Sequence, residues 1–118
     1  METLMETVTE TSWFLACRVE DTIPNGGVCV KRDDEQIALF YFSRQDRWYA
    51  VQNECPHRRQ MALSRGMVGT AGEEPKVACP FHKMQFSLAS GECLSGGECR
   101  LKTYRVKVAD GNVFISKN

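Results

Sequence analysis

The chain has 118 residues, and its fifteen basic and fifteen acidic side chains give a formal net charge of zero at neutral pH. That length suits one domain with a modest hydrophobic core, and the balanced charge argues against nucleic acid or an anionic membrane as the main partner. No apolar run approaches the length needed to span a bilayer.

The N-terminal segment, residues 1–10, is polar and acidic and does not read as a signal peptide. We expect a flexible acidic segment here, followed by a single domain over residues 11–118. Because no export signal is present, we expect the chain to work in the cytoplasm, where its six cysteines stay reduced.

Short strands are predicted along most of the remaining chain. Residues 13–19 and 27–32 read as strands joined by a turn at residues 23–27, which contain proline and glycine. The apolar run over residues 37–42 has strand length without alternation, which predicts a strand covered on both faces. Residues 47–52 follow as a further strand.

The C-terminal part predicts a β-hairpin. Apolar and basic residues alternate over residues 104–108, and Asp110-Gly111 then turns the chain into the apolar residues 113–115. Elsewhere we expect at most a helical turn around residues 61–64 and an exposed loop over the glycine-rich residues 66–75. The pattern indicates an all-β domain.

Both histidines of the chain lie just after a cysteine, in Cys55-Pro56-His57 and Cys79-Pro80-Phe81-His82. Two thiolates and two imidazoles suit either a tetrahedral zinc ion or a [2Fe–2S] cluster in which cysteines hold one iron and histidines the other. Zinc fingers tend to pair cysteine with cysteine and histidine with histidine, whereas each loop here mixes the two. The spacing favours the cluster; zinc, or cysteines and histidines without a metal role, stay open as alternatives.

The two loops resemble the C-x-H and C-x-x-H ligand loops of the Rieske family, and Leu63…Gly66 and Phe86…Gly91 match further positions of that family. Over nearly the whole chain, the sequence is most similar to the small subunits of cytoplasmic NAD(P)H-dependent nitrite reductase. The segments that carry this likeness are residues 23–24, 27–29, 36–40, 50–53, 63–66 and 90–93. The resemblance implies a Rieske-type all-β domain of small antiparallel sheets, with a [2Fe–2S] cluster bound by Cys55, His57, Cys79 and His82 and used for electron transfer.

The same resemblance implies a partner: a large subunit that carries FAD, a [4Fe–4S] cluster and sirohaem and reduces nitrite to ammonium in nitrogen assimilation. This chain would then be part of an oxidoreductase without a complete catalytic site of its own. Cations outnumber carboxylates around the ligand loops, with Arg58, Arg59, Arg65, Lys76 and Lys83 against Glu73 and Glu74. We expect Arg58, Arg59 and Lys83 in particular to dock on an acidic partner surface.

Two other functions stay open. The chain could be a stand-alone Rieske ferredoxin for a ring-hydroxylating dioxygenase, or a structural subunit with zinc or no metal. Of the remaining cysteines, Cys17 and Cys29 lie in apolar strands and are predicted to be small buried residues. Cys93 and Cys99 could pair under oxidation, although packing or incidental exposure is the favoured interpretation in a reducing compartment.

Overall fold

A computed structural model describes residues 13–56, 60–71, 74–80, 84–95 and 99–116. The predicted N-terminal segment, residues 1–10, lies outside these ranges. Strands account for most of the described chain: β1 Trp13–Arg18, β2 Gly26–Arg32, β3 Glu35–Phe42, β4 Arg47–Gln52, β5 Glu54–Cys55, β6 Gln60–Met61, β7 Met67–Ala71, β8 Glu74–Ala78, β9 Gln85–Ser87, β10 Thr103–Tyr104, β11 Val106–Ala109 and β12 Asn112–Ser116. Two 3₁₀ helices, Val19–Asp21 and Leu63–Arg65, complete the elements of the described residues.

The strands form small sheets, and within the described ranges these strands pair with one another in antiparallel fashion. The orders are β10-β4-β3-β2, β11-β12-β1 and β9-β8-β7, and β5 pairs with β6 alone. This arrangement confirms the predicted all-β class. Within the described ranges, no helix is long and apolar enough to cross a membrane.

Strand β3 separates two hydrophobic cores, because successive side chains of a strand point to opposite faces. Ala38, Phe40 and Phe42 enter the first core, whereas Ile37 and Leu39 enter the second. All five are at most 5% exposed, which confirms the prediction of a strand covered on both faces.

The two cores receive different parts of the chain. The first core contains the cysteines that precede both histidines, together with Leu63, Val77, Phe86, Leu88 and Leu101. The second contains Val113 and Ile115 of β12 and Val30 of β2. The two predicted cysteine ligands, Cys55 and Cys79, therefore belong to one core, and β1, β11 and β12 pack on the other.

The C-terminal hairpin consists of β11 and β12 and belongs to the three-stranded sheet β11-β12-β1. Asp110 and Gly111 have φ of 55° and 78°, as a two-residue hairpin loop with positive φ at both positions requires. This confirms the predicted β-hairpin. Strand β12 also pairs with β1, so that Ser116 lies opposite Trp13 at the two ends of the described chain.

Three details differ from the sequence predictions. The exposed loop predicted over residues 66–75 is wrong, because β7 and β8 occupy most of this range and pair from Met67↔Ala78 to Ala71↔Glu74. The predicted helical turn around residues 61–64 is a 3₁₀ helix at Leu63–Arg65. Cys29 is exposed rather than buried, because its neighbours Val28 and Val30 pack on the second core and alternation turns Cys29 to the other face.

Candidate metal centre

The first predicted ligand loop lies in the sequence between two short strands that pair with each other. Strands β5 and β6 pair as Glu54↔Met61 and Cys55↔Gln60, so Cys55 ends one strand of the hairpin and Gln60 begins the other. The Cys55 side chain is fully buried. The hairpin therefore holds the first cysteine against the first core, directly before the segment that contains His57.

Asn53 closes the base of this hairpin. Its backbone carbonyl accepts hydrogen bonds from the amides of Ala62 at 3.1 Å and Leu63 at 3.0 Å. Its side-chain Oδ1 accepts from the Ser64 amide at 2.7 Å, and Nδ2 donates to Gln36 Oε1 at 3.1 Å. Because Asn53 is 2% exposed, each of these bonds satisfies a polar group that water cannot reach.

Replacing Asn53 by alanine is expected to loosen the first loop. The Ser64 amide would lose its acceptor inside the protein, which costs about 1–3 kcal/mol of unfolding free energy. We expect that loss in urea denaturation, together with less bound iron per chain after purification. The sequence does not mark Asn53 as a site residue, since its only signal is one amide side chain between an apolar strand and a cysteine.

Asn25→Gly is the matched control. Asn25 also bonds a backbone amide through its side chain, from Ser43 at 3.2 Å, but it is exposed and has a φ of 60° that glycine adopts easily. We expect a change within about 0.5 kcal/mol and unaltered iron content. Equal stability and iron content in Asn53→Ala and the wild type would contradict the assignment.

The second predicted ligand loop also lies in the sequence between two paired strands. Strands β8 and β9 pair with Gln85 opposite Ala78, and the Cys79 amide donates to the Met84 carbonyl at 2.9 Å. Cys79 is 1% exposed and belongs to the same core as Cys55.

Gly66 brings the two hairpins together. An added Cβ at this position would lie 2.3 Å from the Ala78 carbonyl oxygen and 2.8 Å from Val77 Cγ2, which is too close for any side chain. The absence of a side chain therefore lets the end of the first loop region pack on the residue directly before Cys79. This close approach gives a physical reason for the glycine that ends the Leu63…Gly66 pattern.

The donors that the structure describes fit a Rieske-type cluster. The two thiols, of Cys55 and Cys79, lie buried in one core, and a Rieske cluster takes two cysteine thiolates as ligands of one of its irons. Cys17, by contrast, lies on β1 by the second core, where burial and then the charge of Asp21 raise the pKa of its thiol. The remaining predicted site residues, His57, His82, Arg58, Arg59 and Lys83, lie outside the described residues.

Exposed methionines accompany both candidate cysteines. Met61, 42% exposed, pairs with the residue before Cys55, and Met67, 79% exposed, pairs with the residue before Cys79. Met67 also lines an apolar groove of about 430 Å³ with Pro80 and Cys79. Exposed flexible apolar side chains of this kind are typical of protein-docking surfaces.

Residues 12–116 match the Rieske-like [2Fe-2S] domain family. The nitrite reductase (NADH) small subunit of Escherichia coli (strain K12) is 34% identical over 103 residues, which cover 87% of this chain and 95% of that subunit. The NMR structure of the E. coli protein NirD has a TM-score of 0.82 at 32% identity, covering 92% of this chain and 98% of that one.

Two further relatives are proteins of other kinds, a large subunit and a ferredoxin. The nitrite reductase [NAD(P)H] large subunit of Klebsiella oxytoca is 35% identical over 103 residues, which are 87% of this chain but 11% of that protein. The 3-phenylpropionate/cinnamic acid dioxygenase ferredoxin subunit of Photorhabdus laumondii is 34% identical over 107 residues, covering 89% of this chain and 94% of that subunit.

Proposed function

This chain belongs to the Rieske-like [2Fe-2S] domain family, within the nitrite reductase small subunits, and we propose that it transfers electrons in an NAD(P)H-dependent assimilatory nitrite reductase. The observation that carries the proposal is the placement of Cys55 and Cys79 in one core, Cys55 in the last described pair of its hairpin and Cys79 directly after that of the other. A [2Fe–2S] cluster bound there supplies one-electron transfer, and histidine ligation sets its potential at roughly −150 to +300 mV, against about −400 mV for plant-type clusters.

We assign four residues as the ligands of that cluster: Cys55, His57, Cys79 and His82. The buried cysteines exclude water from one side of the site. Asn53 fixes the base of the first loop, and the bond between the Cys79 amide and the Met84 carbonyl closes the base of the second. These residues hold the ligands in place, and within the proposal the chain binds no substrate itself.

The partner in this proposal is the large nitrite reductase subunit. Its support is the K. oxytoca relative, whose name is that of a large subunit and in which the matching segment is part of a much longer protein. We expect the large subunit to carry FAD, a [4Fe–4S] cluster and sirohaem, and the complex to work in the cytoplasm. No nucleic acid or membrane has a role in this function.

Anaerobic mixing tests the electron path. NADH or NADPH alone should leave the visible spectrum of this chain unchanged, whereas a catalytic amount of the large subunit with the same reductant should bleach it. The Cys79→Ser chain is the control and should show no visible change under either condition. A wild-type spectrum that stays oxidised with both the reductant and the large subunit present would overturn the proposal.

Charge reversal of Arg58, Arg59 and Lys83 to glutamate is expected to weaken binding to the large subunit. These cations flank the proposed histidine ligands, so that an acidic surface brought close to the cluster would pair with them. We expect at least about a tenfold rise in Kd, measured by interferometry, and a wild-type complex that weakens with added salt because surface charges are screened.

The control makes the same change of charge away from the ligand loops. Arg18, Lys31 and Lys107 are exposed on β1, β2 and β11, and reversing all three should leave Kd within about twofold. A companion variant that leaves all cations in place is Met67→Glu, which puts a negative charge in the apolar groove and should also weaken the complex. Equal weakening by both triple variants would show a general charge effect instead of this docking surface.

A ferredoxin function is the second candidate, supported by the P. laumondii relative and its similar identity. In that case, a dioxygenase flavin reductase should reduce the chain and the nitrite reductase large subunit should not. The anaerobic mixing experiment, repeated with such a reductase, separates the two functions. A zinc-containing, colourless protein would instead favour the structural subunit.

A further inference from the structure

Cys93 and Cys99 face each other across a short antiparallel bridge. Glu92 pairs with Arg100 in this bridge, so the next pair in the same register is Cys93 and Cys99. Residues directly opposite in antiparallel strands have Cα atoms about 4.5 to 5.5 Å apart. A disulfide needs a Cα separation of roughly 4.4 to 6.8 Å, so the register meets this requirement without movement of the backbone.

Contacts between Gly91 and Leu101, which lie next to the Glu92–Arg100 pair, fix this register. The Leu101 amide donates to the Gly91 carbonyl at 2.8 Å. Gly91 has a φ of 85°, and an added Cβ would lie 2.3 Å from the Leu101 carbonyl oxygen, so this crossing suits glycine alone. A second bridge joins Cys93 to Phe86, which ties the pair to β9.

The two thiols already interact. Burial, followed by the charge and hydrogen bonding of the Cys93 thiol, raises the pKa of Cys99. Both side chains pack against the first core and both are half-buried. A small oxidant can therefore reach the pair, although the raised pKa makes Cys99 a slow nucleophile at neutral pH.

We propose that Cys93 and Cys99 form a reversible disulfide, a modification site separate from the four metal ligands. The oxidant class is a small-molecule disulfide such as glutathione disulfide. One cysteine thiolate attacks a sulfur of the oxidant, the sulfur–sulfur bond breaks and one glutathione leaves as a thiolate. The second cysteine then attacks the mixed disulfide and releases the other glutathione. In total, the two cysteines lose two electrons and two protons, which the two glutathione thiols gain.

The disulfide would act on the support of the second ligand hairpin. The Leu94 amide donates to the Gln85 carbonyl at 2.7 Å, and the Gln85 amide donates to Ser95 Oγ at 3.0 Å. Strand β9, which begins at Gln85, follows directly after the loop of Cys79 and His82. Joining Cys93 to Cys99 therefore restricts the segment on which this hairpin rests.

Peptide mapping tests the proposal on the full chain with its metal bound. The protein is equilibrated without air in mixtures of reduced and oxidised glutathione, alkylated and digested with trypsin. Residues 84–100 form one tryptic peptide with both cysteines, and every other cysteine falls on a different peptide. We expect this peptide to lose two hydrogen atoms and resist alkylation in oxidising mixtures, and to recover on reduction. Full alkylation, or glutathione on both cysteines, in the most oxidising mixture would overturn the proposal.

Cys17 and Cys29 serve as internal controls, because Val113 and Ala38 lie opposite them. Cys17 and Cys29 should each be alkylated or carry one glutathione, without an internal disulfide. Cys93→Ser should leave Cys99 with a single glutathione and no internal link, and Cys99→Ser should give the converse. Oxidised wild-type protein should melt a few degrees above the reduced form, a difference absent in both variants. Equal melting of the two wild-type forms would contradict the stiffening role.

Discussion

Serine at Cys55 or Cys79 is expected to abolish the red-brown colour of the purified protein. Each replacement removes one of the two proposed thiolate ligands, and an iron held by the other cysteine alone should not be retained. In the wild type we expect iron and acid-labile sulfide in equal amounts, with the low average g value of a reduced Rieske cluster in EPR. Iron and sulfide should both fall to background in either variant.

Cys17→Ser separates loss of the metal from loss of the fold. Cys17 packs by the second core, and the raised pKa of its thiol disfavours the thiolate that binds iron, so colour and iron should stay at the wild-type level. Far-UV circular dichroism should show that all three variants keep their strands. Full iron and sulfide in Cys55→Ser, or stoichiometric zinc without sulfide in the wild type, would refute the ligand assignment.

Nitrite reduction by the complex is expected to depend wholly on this chain. Conversion of nitrite to ammonium takes six electrons, and a single [2Fe–2S] centre carries one at a time, so the isolated chain should neither oxidise NAD(P)H nor consume nitrite. The large subunit alone should oxidise NAD(P)H with artificial acceptors but form ammonium only at background rate. Adding this chain should restore ammonium formation, measured with both proteins at fixed concentration.

The Cys79→Ser chain is the sharpest control, because it keeps the proposed docking cations and loses the proposed cluster. It should bind the large subunit and compete with the wild type, yet restore no activity. Full NAD(P)H-dependent ammonium formation by the large subunit alone, unchanged by this chain, would remove it from the electron path.

Local patterns predicted those parts of the fold in which neighbouring residues decide the structure. The apolar run of β3 and the Asp110-Gly111 turn are examples, since burial on both faces and a two-residue hairpin each leave a direct mark on the sequence. Strand β7 left no such mark. It contains Gly69 and follows Gly66, and it forms because β8 offers it a partner, which is a case of tertiary context overriding local propensity.

The candidate site shows the same division. The spacing of the cysteines and histidines predicted the metal ligands, because the type of a residue determines whether its side chain can bind a metal. The sequence did not reveal that Asn53 bonds Ser64 across the hairpin base, or that Gly66 makes room for Ala78. Both depend on contacts between segments, for which a single sequence carries no signal.

The pairing of Trp13 with Ser116 has a consequence for how such a domain can be used. The polypeptide enters and leaves the fold at neighbouring positions on one sheet, whereas the proposed ligands come from hairpins on the other core. A module with this layout can be spliced into a longer chain without disturbing the proposed ligands, and in the K. oxytoca relative the matching segment is 11% of a longer protein. Covalent tethering makes docking intramolecular, at an effective concentration in the millimolar range for short flexible linkers. A domain on a separate chain lacks that advantage, so its docking surface alone must provide the affinity.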